Sequence, residues 1–241
     1  GTGAFTPSFE DAVRLAKTMV GIGVAAGKKI TALITGMEEP LGYAIGNAVE
    51  VREAIDTLNG KGPADLTELV LALGSEMLFL SGVTSSRQAA REKLKAQLIN
   101  NVAARQFKAF IQAQGGRAEV VDKTDLLPKS RAVIPVESPC SGFVRGINAF
   151  EAGMTAKILG AGRQTKVDEI DPSIGIVLKK KVGDSVEQGE PLANLYSDGE
   201  KNKAVAAAKR LSNAYTISPQ TVAPNKLVLA RVTPNNYEEL A

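Results

Sequence analysis

The spacing of apolar residues changes once along this 241-residue chain, at Gln114-Gly115-Gly116, and that change limits the folds open to it. Before it, apolar side chains recur every three or four positions, the period of an amphipathic helix. Residues 8–26 place Phe9, Ala12, Val13, Ala16, Met19 and Val20 on one face, with Ser8 as N-cap and Glu10 and Asp11 at the positive helix start. Ile30 to Thr35 is a short, mostly apolar run, expected to be a strand buried on both faces as in a parallel sheet. After Glu38-Glu39-Pro40 a second helix is expected through Asn59, carried by Leu41, Ala44, Ile45, Ala48, Val51 and Ile55. Further helices are expected over 64–80, 85–98 and 101–114, the first introduced by Pro63 in a tolerated first-turn position.

After residue 116 the helical period fades, and Val/Ile-rich runs separated by Gly, Pro and Asp turns replace it. The runs are 131–136, 142–147, 175–178 and 227–232, with helices expected over 148–160 and 199–211. The expected architecture is therefore an α/β remnant over residues 1–116, with helices packed on a short parallel sheet. A smaller α+β domain over 117–241, mainly antiparallel and barrel-sandwich-like, would follow.

The absence of histidine narrows the chemistry. It removes the commonest acid–base group near neutral pH and the commonest neutral metal ligand, so Ser–His–Asp and zinc-type sites are excluded within these residues. The single cysteine, Cys140, can form no internal disulfide, which fits a reducing cytoplasm. A net charge of +3, from 29 basic and 26 acidic residues, is no nucleic-acid signature. The one tight basic run, Lys179-Lys180-Lys181, reads as a solvated strand end. No apolar run approaches the ~20 residues of a membrane helix, and no basic-then-apolar leader is visible.

Three stretches hold candidate chemistry. Gly1-Thr2-Gly3-Ala4-Phe5 could bring backbone amides against an anion, or be an ordinary turn before a helix. Pro40 to Glu53 combines the small residues Gly42, Gly46 and Ala48 with a carboxylate; spacing alone favours tight helix packing over a cation site. Val182 to Leu192, with Ser138 to Val144, resembles biotinyl and lipoyl carrier hairpins. The exposed Lys in a Met or small-residue context that those carriers need is missing at Asp198-Gly199-Glu200.

Taken together and in order, Gly1–Phe5, Thr35–Glu53, Gly62–Leu69, Leu159–Arg163 and Asp168–Leu192 resemble the pyrimidine-nucleoside phosphorylases, bacterial thymidine phosphorylases included. The resemblance implies reversible phosphorolysis, in which a pyrimidine nucleoside and phosphate give free base and pentose 1-phosphate. It also implies that this chain is the later part of the α/β domain plus the whole C-terminal domain of a cytoplasmic homodimer. The Lys-His-Ser-Thr-Gly-Gly phosphate loop and the groups gripping the base would then lie in an N-terminal part absent here. No catalytic residue is assigned to this chain, and the isolated fragment is expected to be inactive. By position, Gly1, Thr2, Gly3 and Phe5 would line the substrate site, although Thr6 stands where the family has Met. The carbonyls of Leu41 and Ala44 and the carboxylate of Glu53 would hold a structural potassium ion. The alternative is a non-catalytic carrier-like or interaction module built on the C-terminal sandwich.

Overall fold

In the computed structural model, residues 1, 4–163 and 165–240 are described, so the expectations for Thr2 and Gly3 lie outside the described residues. Helix α1 (Phe9–Ala25) starts as expected, with the Ser8 hydroxyl accepting from the Asp11 amide at 3.1 Å. Its buried face, Ala16 and Val20, lies against Ile34 of β1 (Ala32–Thr35) and Ala230 and Val232 of β9 (Val228–Val232). Ala230 is completely buried between the layers.

The pairing of β1 corrects one expectation. Every strand pair among the described residues is antiparallel, and β1 runs against β9, with Ala32 opposite Val232 and Thr35 opposite Val228. Strand β10 (Tyr237–Glu239) completes that sheet on the far side of β9. The expected parallel remnant is therefore a small antiparallel sheet whose other strands come from the end of the chain. Nor is β1 buried on both faces, since only Ile34 of its four residues is buried; a short apolar run fixes neither strand direction nor burial of both faces.

Strand β2 (Ala44–Gly46) falls where a helix was expected, and α2 (Ala48–Leu58) begins only after it. Gly42 at φ +65° and Gly46 at φ +146° depart from helical backbone. Ala44 and Ile45 pair instead with Val177 and Ile176 of β5 (Gly175–Leu178). Helices α3 (Ala64–Leu80), α4 (Arg87–Ile99) and α5 (Val102–Ala113) then follow close to the expected bounds. Two short 3₁₀ turns, 118–121 and 124–126, lead into the β-rich part.

There β3 (Ala132–Glu137), β7 (Pro191–Ser197), β5 and β2 form one sheet in the order β2-β5-β7-β3. Pro135 interrupts β3 without harm because β3 is the edge strand, where a missing N–H can face outward. A second sheet orders β6 (Ser185–Val186), β4 (Gly142–Ile147) and β8 (Tyr215–Ser218). Helices α6 (Ala149–Ala156) and α7 (Lys201–Ala214) join them around one core that includes Val144, Leu159, Ile176, Leu192, Leu195 and Leu211. Both the β1 sheet and the β2 sheet take strands from each side of residue 116. The composition boundary is thus crossed twice by hydrogen-bonded ladders.

Among the described residues, no helix is long and apolar enough to cross a membrane. Cys140 is a free, exposed thiol.

Candidate functional site

The loop from Glu39 to Gly46 crosses between α3 and the β5–β6 turn, and its conformation is set by carboxylates from two helices. Glu53, on the second turn of α2, accepts the Tyr43 amide at 2.8 Å and the Ala44 amide at 3.1 Å through Oε1. Asp65, at the start of α3, accepts the Gly42 amide at 3.0 Å through Oδ2. A Cβ at residue 42 would fall 2.2 Å from Glu53 Oε2, and φ there is +65°. Gly42 is therefore required twice over, for its backbone conformation and for the carboxylate packed on its Cα.

The Tyr43 carbonyl accepts the Leu178 amide at 2.8 Å, so Tyr43 presents its carbonyl to β5. The Tyr43 and Ala44 amides both turn to Glu53 Oε1, so regular strand alternation begins only after Tyr43. The structure thus brings Ala44 and Glu53 together, with Leu41 half-exposed just before them on the same loop. Their carrier is a loop and an edge strand, not the helix start expected from the spacing.

Burial is the main cause holding the Glu53 carboxyl above its ordinary range. The amide bonds from Tyr43 and Ala44 oppose it, while Asp65 and Glu50 add repulsion. A partly buried carboxylate with two amide donors and two acidic neighbours is a place where a cation would be favoured. Glu53, Tyr43 and Ala44 form part of the wall of an open cleft of about 840 Å³, shared with Arg52, Lys61 and Tyr196.

The start of α2 is pinned by the later part of the chain. The Ala48 amide donates to the Pro172 carbonyl at 3.0 Å, and Asn47 Nδ2 donates to the Ala161 carbonyl at 2.8 Å. The Gly46 amide donates to Glu50 Oε1 at 2.7 Å.

The N-terminal stretch is less enclosed. The Gly1 amine donates to the Pro7 carbonyl at 3.3 Å and pairs with Glu38 at 3.4 Å. Gly1 lies against the Met37 backbone, while Phe5 is 95% exposed. Among the described residues, no hydrogen bond or ion pair joins Gly1 or Phe5 to the Glu53 loop.

The lysine run is only in part the solvated strand end that its charge suggested, since Lys179 is exposed just after β5 while the next two lysines are engaged. Lys180 donates to the Ser185 carbonyl at 2.8 Å and pairs with Glu190 at 2.6 Å. The side chain of Lys181 is only 13% exposed and reaches the carbonyl of Gly42 at 3.1 Å and that of Pro40. It also pairs with Asp65 at 3.1 Å and Glu39 at 3.4 Å. Charge density alone says solvated face; only the fold shows that this ammonium points inward. No local signal in the sequence marks which of three adjacent lysines does so.

Comparison with known proteins gives the geometry its context. Residues 1–104 match the family described as "Glycosyl transferase family, a/b domain", and residues 143–218 match "Pyrimidine nucleoside phosphorylase C-terminal domain". The chain is 48% identical over 224 residues to the pyrimidine-nucleoside phosphorylase of Staphylococcus haemolyticus, covering 93% of this chain and 51% of that protein. It is 47% identical over 233 residues to the Bacillus subtilis protein of the same name, covering 97% and 53%. For the Geobacillus stearothermophilus protein the identity is 49% over 201 residues, covering 83% and 46%. The chain spans about half the length of these relatives. With both family segments matched in order and this identity sustained along most of its residues, the chain belongs to the pyrimidine-nucleoside phosphorylase family.

Proposed function

We propose that this chain forms part of a cytoplasmic pentosyltransferase that carries out reversible phosphorolysis of pyrimidine nucleosides. The observation that carries the reading is the near-half identity to proteins of that name over 83–97% of the chain. In that reaction a phosphate oxygen attacks the anomeric carbon, the bond to the pyrimidine nitrogen breaks, and the base departs with the electron pair. The attack needs the anion held close to that carbon, and the departure needs charge on the base to be met by donors. Residues 1–241 contain no histidine. We assign them a positioning role and expect the donors for the base and phosphate to come from the rest of the protein.

Gly1, Thr2, Gly3 and Phe5 are proposed to edge the substrate cleft. The exposure of Phe5 supports this, since it leaves an aromatic face for a base to stack on. Leu41, Ala44 and Glu53 are proposed to hold a potassium ion. Ala44 offers a backbone carbonyl beside the Glu53 carboxylate, the hard oxygen donors such an ion takes. When bound, the ion would neutralise Glu53 and brace the loop against α2. Exposed apolar residues on α3, Leu73 and Met77, support a homodimer or a packed neighbouring part of the protein. The small sheets β2-β5-β7-β3 and β6-β4-β8 around one core support a barrel-sandwich form for the C-terminal part.

The test is release of thymine or uracil from thymidine or uridine, with and without phosphate. A protein of the relatives' full length carrying these residues should release base only when phosphate is present. The 241 residues alone should release none. Phosphate-independent release, or turnover by the short chain, would overturn the assignment.

A further inference from the structure

We propose that Lys181 is a tethered cation: its ammonium fills an oxygen cage in the 39–42 loop and thereby positions the neighbouring Ala44 and Glu53. The cage consists of the Pro40 and Gly42 carbonyls and the carboxylates of Asp65 and Glu39. Three of these oxygens lie within 3.4 Å of Nζ in addition to the close Pro40 contact. Oxygen donors alone, two of them anionic, form the environment of a monovalent cation, and an alkylammonium is such a cation on a stem.

The cage and the lysine belong to distant parts of the chain. Nζ meets Pro40 and Gly42 across 141 and 139 residues of sequence. Each end has further hydrogen bonds that hold it in place. On the lysine side, a tight turn holds the backbone: the Lys181 amide donates to Asp184 Oδ2 at 2.8 Å and the Asp184 amide to the Lys181 carbonyl at 3.0 Å. On the cage side, Asp65 also holds the Gly42 amide, and Glu39 also accepts from the Val182 amide at 3.2 Å and from Asn225 at 3.1 Å. The Tyr43 ring lies 5.9 Å from Nζ, adding a negative aromatic face to the same pocket.

The consequence lies one residue further along. Gly42 takes part in the cage through its carbonyl, and the next two amides, Tyr43 and Ala44, are the ones bound by Glu53. An ammonium that fixes the Gly42 carbonyl thus fixes the peptide joined to the Glu53 carboxylate. Lys181 is a positioning residue, and this part of its role rests on the potassium reading given above. An arginine would keep the charge but place a wide planar fork where a point charge sits, so it would not substitute.

The experiment is chemical rescue of Lys181→Ala, read by thermal melting of the 241-residue chain at constant ionic strength. Lys181→Ala should melt roughly 5 °C or more below wild type. Propylammonium, which replaces the deleted atoms, should recover at least half of that loss. It should leave wild type unmoved, and the neutral isostere 1-propanol should recover nothing. Adding Glu39→Gln and Asp65→Asn to the variant should abolish the rescue. Equal effects of propylammonium and 1-propanol, or an equal shift in wild type, would overturn the cage. Should Lys181→Ala not fold, Glu39→Gln supplies the same test with the lysine in place. The amides of Gly42, Tyr43 and Ala44 should then exchange about tenfold faster while those of α7 do not change, and unchanged exchange at all of them would refute the proposal. The link to potassium is separate. Potassium should raise the melting temperature of wild type more than that of Lys181→Ala, and propylammonium should restore the difference. If potassium has no effect on wild type, the ion reading fails while the rescue result still decides the cage.

Discussion

Glu76 of α3 offers a test of how far a buried carboxylate organises the helical part. It is buried, and its Oε1 accepts both Arg87 Nε and Arg231 Nε at 2.6 Å. Arg87 begins α4 and Arg231 lies on β9, so one oxygen ties two helices to a strand from the end of the chain. Arg231 keeps a second counter-ion in Glu238 at 2.9 Å, whereas Arg87 lies over the Phe79 ring at 4.5 Å and has no second ion pair among the described residues. Removing the carboxylate leaves two guanidinium groups facing each other, and losing one partner of a buried pair costs about 3–5 kcal/mol. Both arginines are partly exposed, which places Glu76→Ala at the lower end, about 3 kcal/mol. Glu76→Gln keeps the carbonyl oxygen that both arginines use and loses only the charge, for about 1–2 kcal/mol. The amide nitrogen would occupy the position of Oε2, which is buried with no hydrogen-bond partner among the described residues, so it gains no bond. At roughly 2–4 °C per kcal/mol for a chain of this size, Glu76→Ala should melt about 6–12 °C lower and Glu76→Gln about half as far. Calorimetry of the three proteins checks this. A melting point for Glu76→Ala equal to wild type would show that the arginines are solvated without it and that the tie contributes nothing.

Three further outcomes follow from the same contacts. Glu53→Gln should abolish the stabilisation that potassium gives wild type, about 2–3 kcal/mol at a hundredfold excess over its dissociation constant, measured by melting in potassium and in a large organic cation. Gly62→Ala should cost about 1–3 kcal/mol in urea unfolding, because its Cβ would fall 2.0 Å from Thr57 Oγ1 and 2.6 Å from the Thr57 Cα. The Asp198 carboxyl is held below its ordinary range, chiefly by the Glu200 amide, so its stabilisation is present above the unfolded value and is lost as pH falls through the folded one. Asp198→Asn should therefore lose less stability than wild type between about pH 7 and about pH 3 in urea melts, and parallel losses would refute the assignment.

Local period made much of this fold legible. α1, α3, α4 and α5 follow their apolar spacing to within a few residues, and β3, β4, β5 and β9 stand where Val and Ile cluster. What failed was information that no local window contains. Ala44 and Ile45 fit a helical stripe as well as a strand, and the choice was made by two glycine conformations and by β5, more than 120 residues later. The direction of β1 was set by β9 in the same way. At the site, Glu53 could be singled out as a carboxylate among small residues, but its amide partners could not. Lys181 was misread because its neighbours in sequence are lysines, while its neighbours in space are carbonyls and carboxylates from the other end of the chain.

These long-range contacts share an arrangement that bears on how the two family segments work together. The 1–104 segment contributes β1 and β2, and each is completed by a partner strand from beyond residue 170. Its Glu39–Gly42 loop is completed by Lys181, within the 143–218 segment. Helix α2 begins on the Pro172 carbonyl and Asn47 on that of Ala161. Such edges leave unpaired backbone groups if the later segment is removed, and an unpaired buried amide or carbonyl costs about 1–3 kcal/mol each. Residues 1–116 alone would therefore expose the edge of β2, the edge of β1 and an anionic loop whose cation had left. The later segment thus supplies part of the frame around the Glu53 loop, through the Lys181 contacts to Gly42 and Asp65.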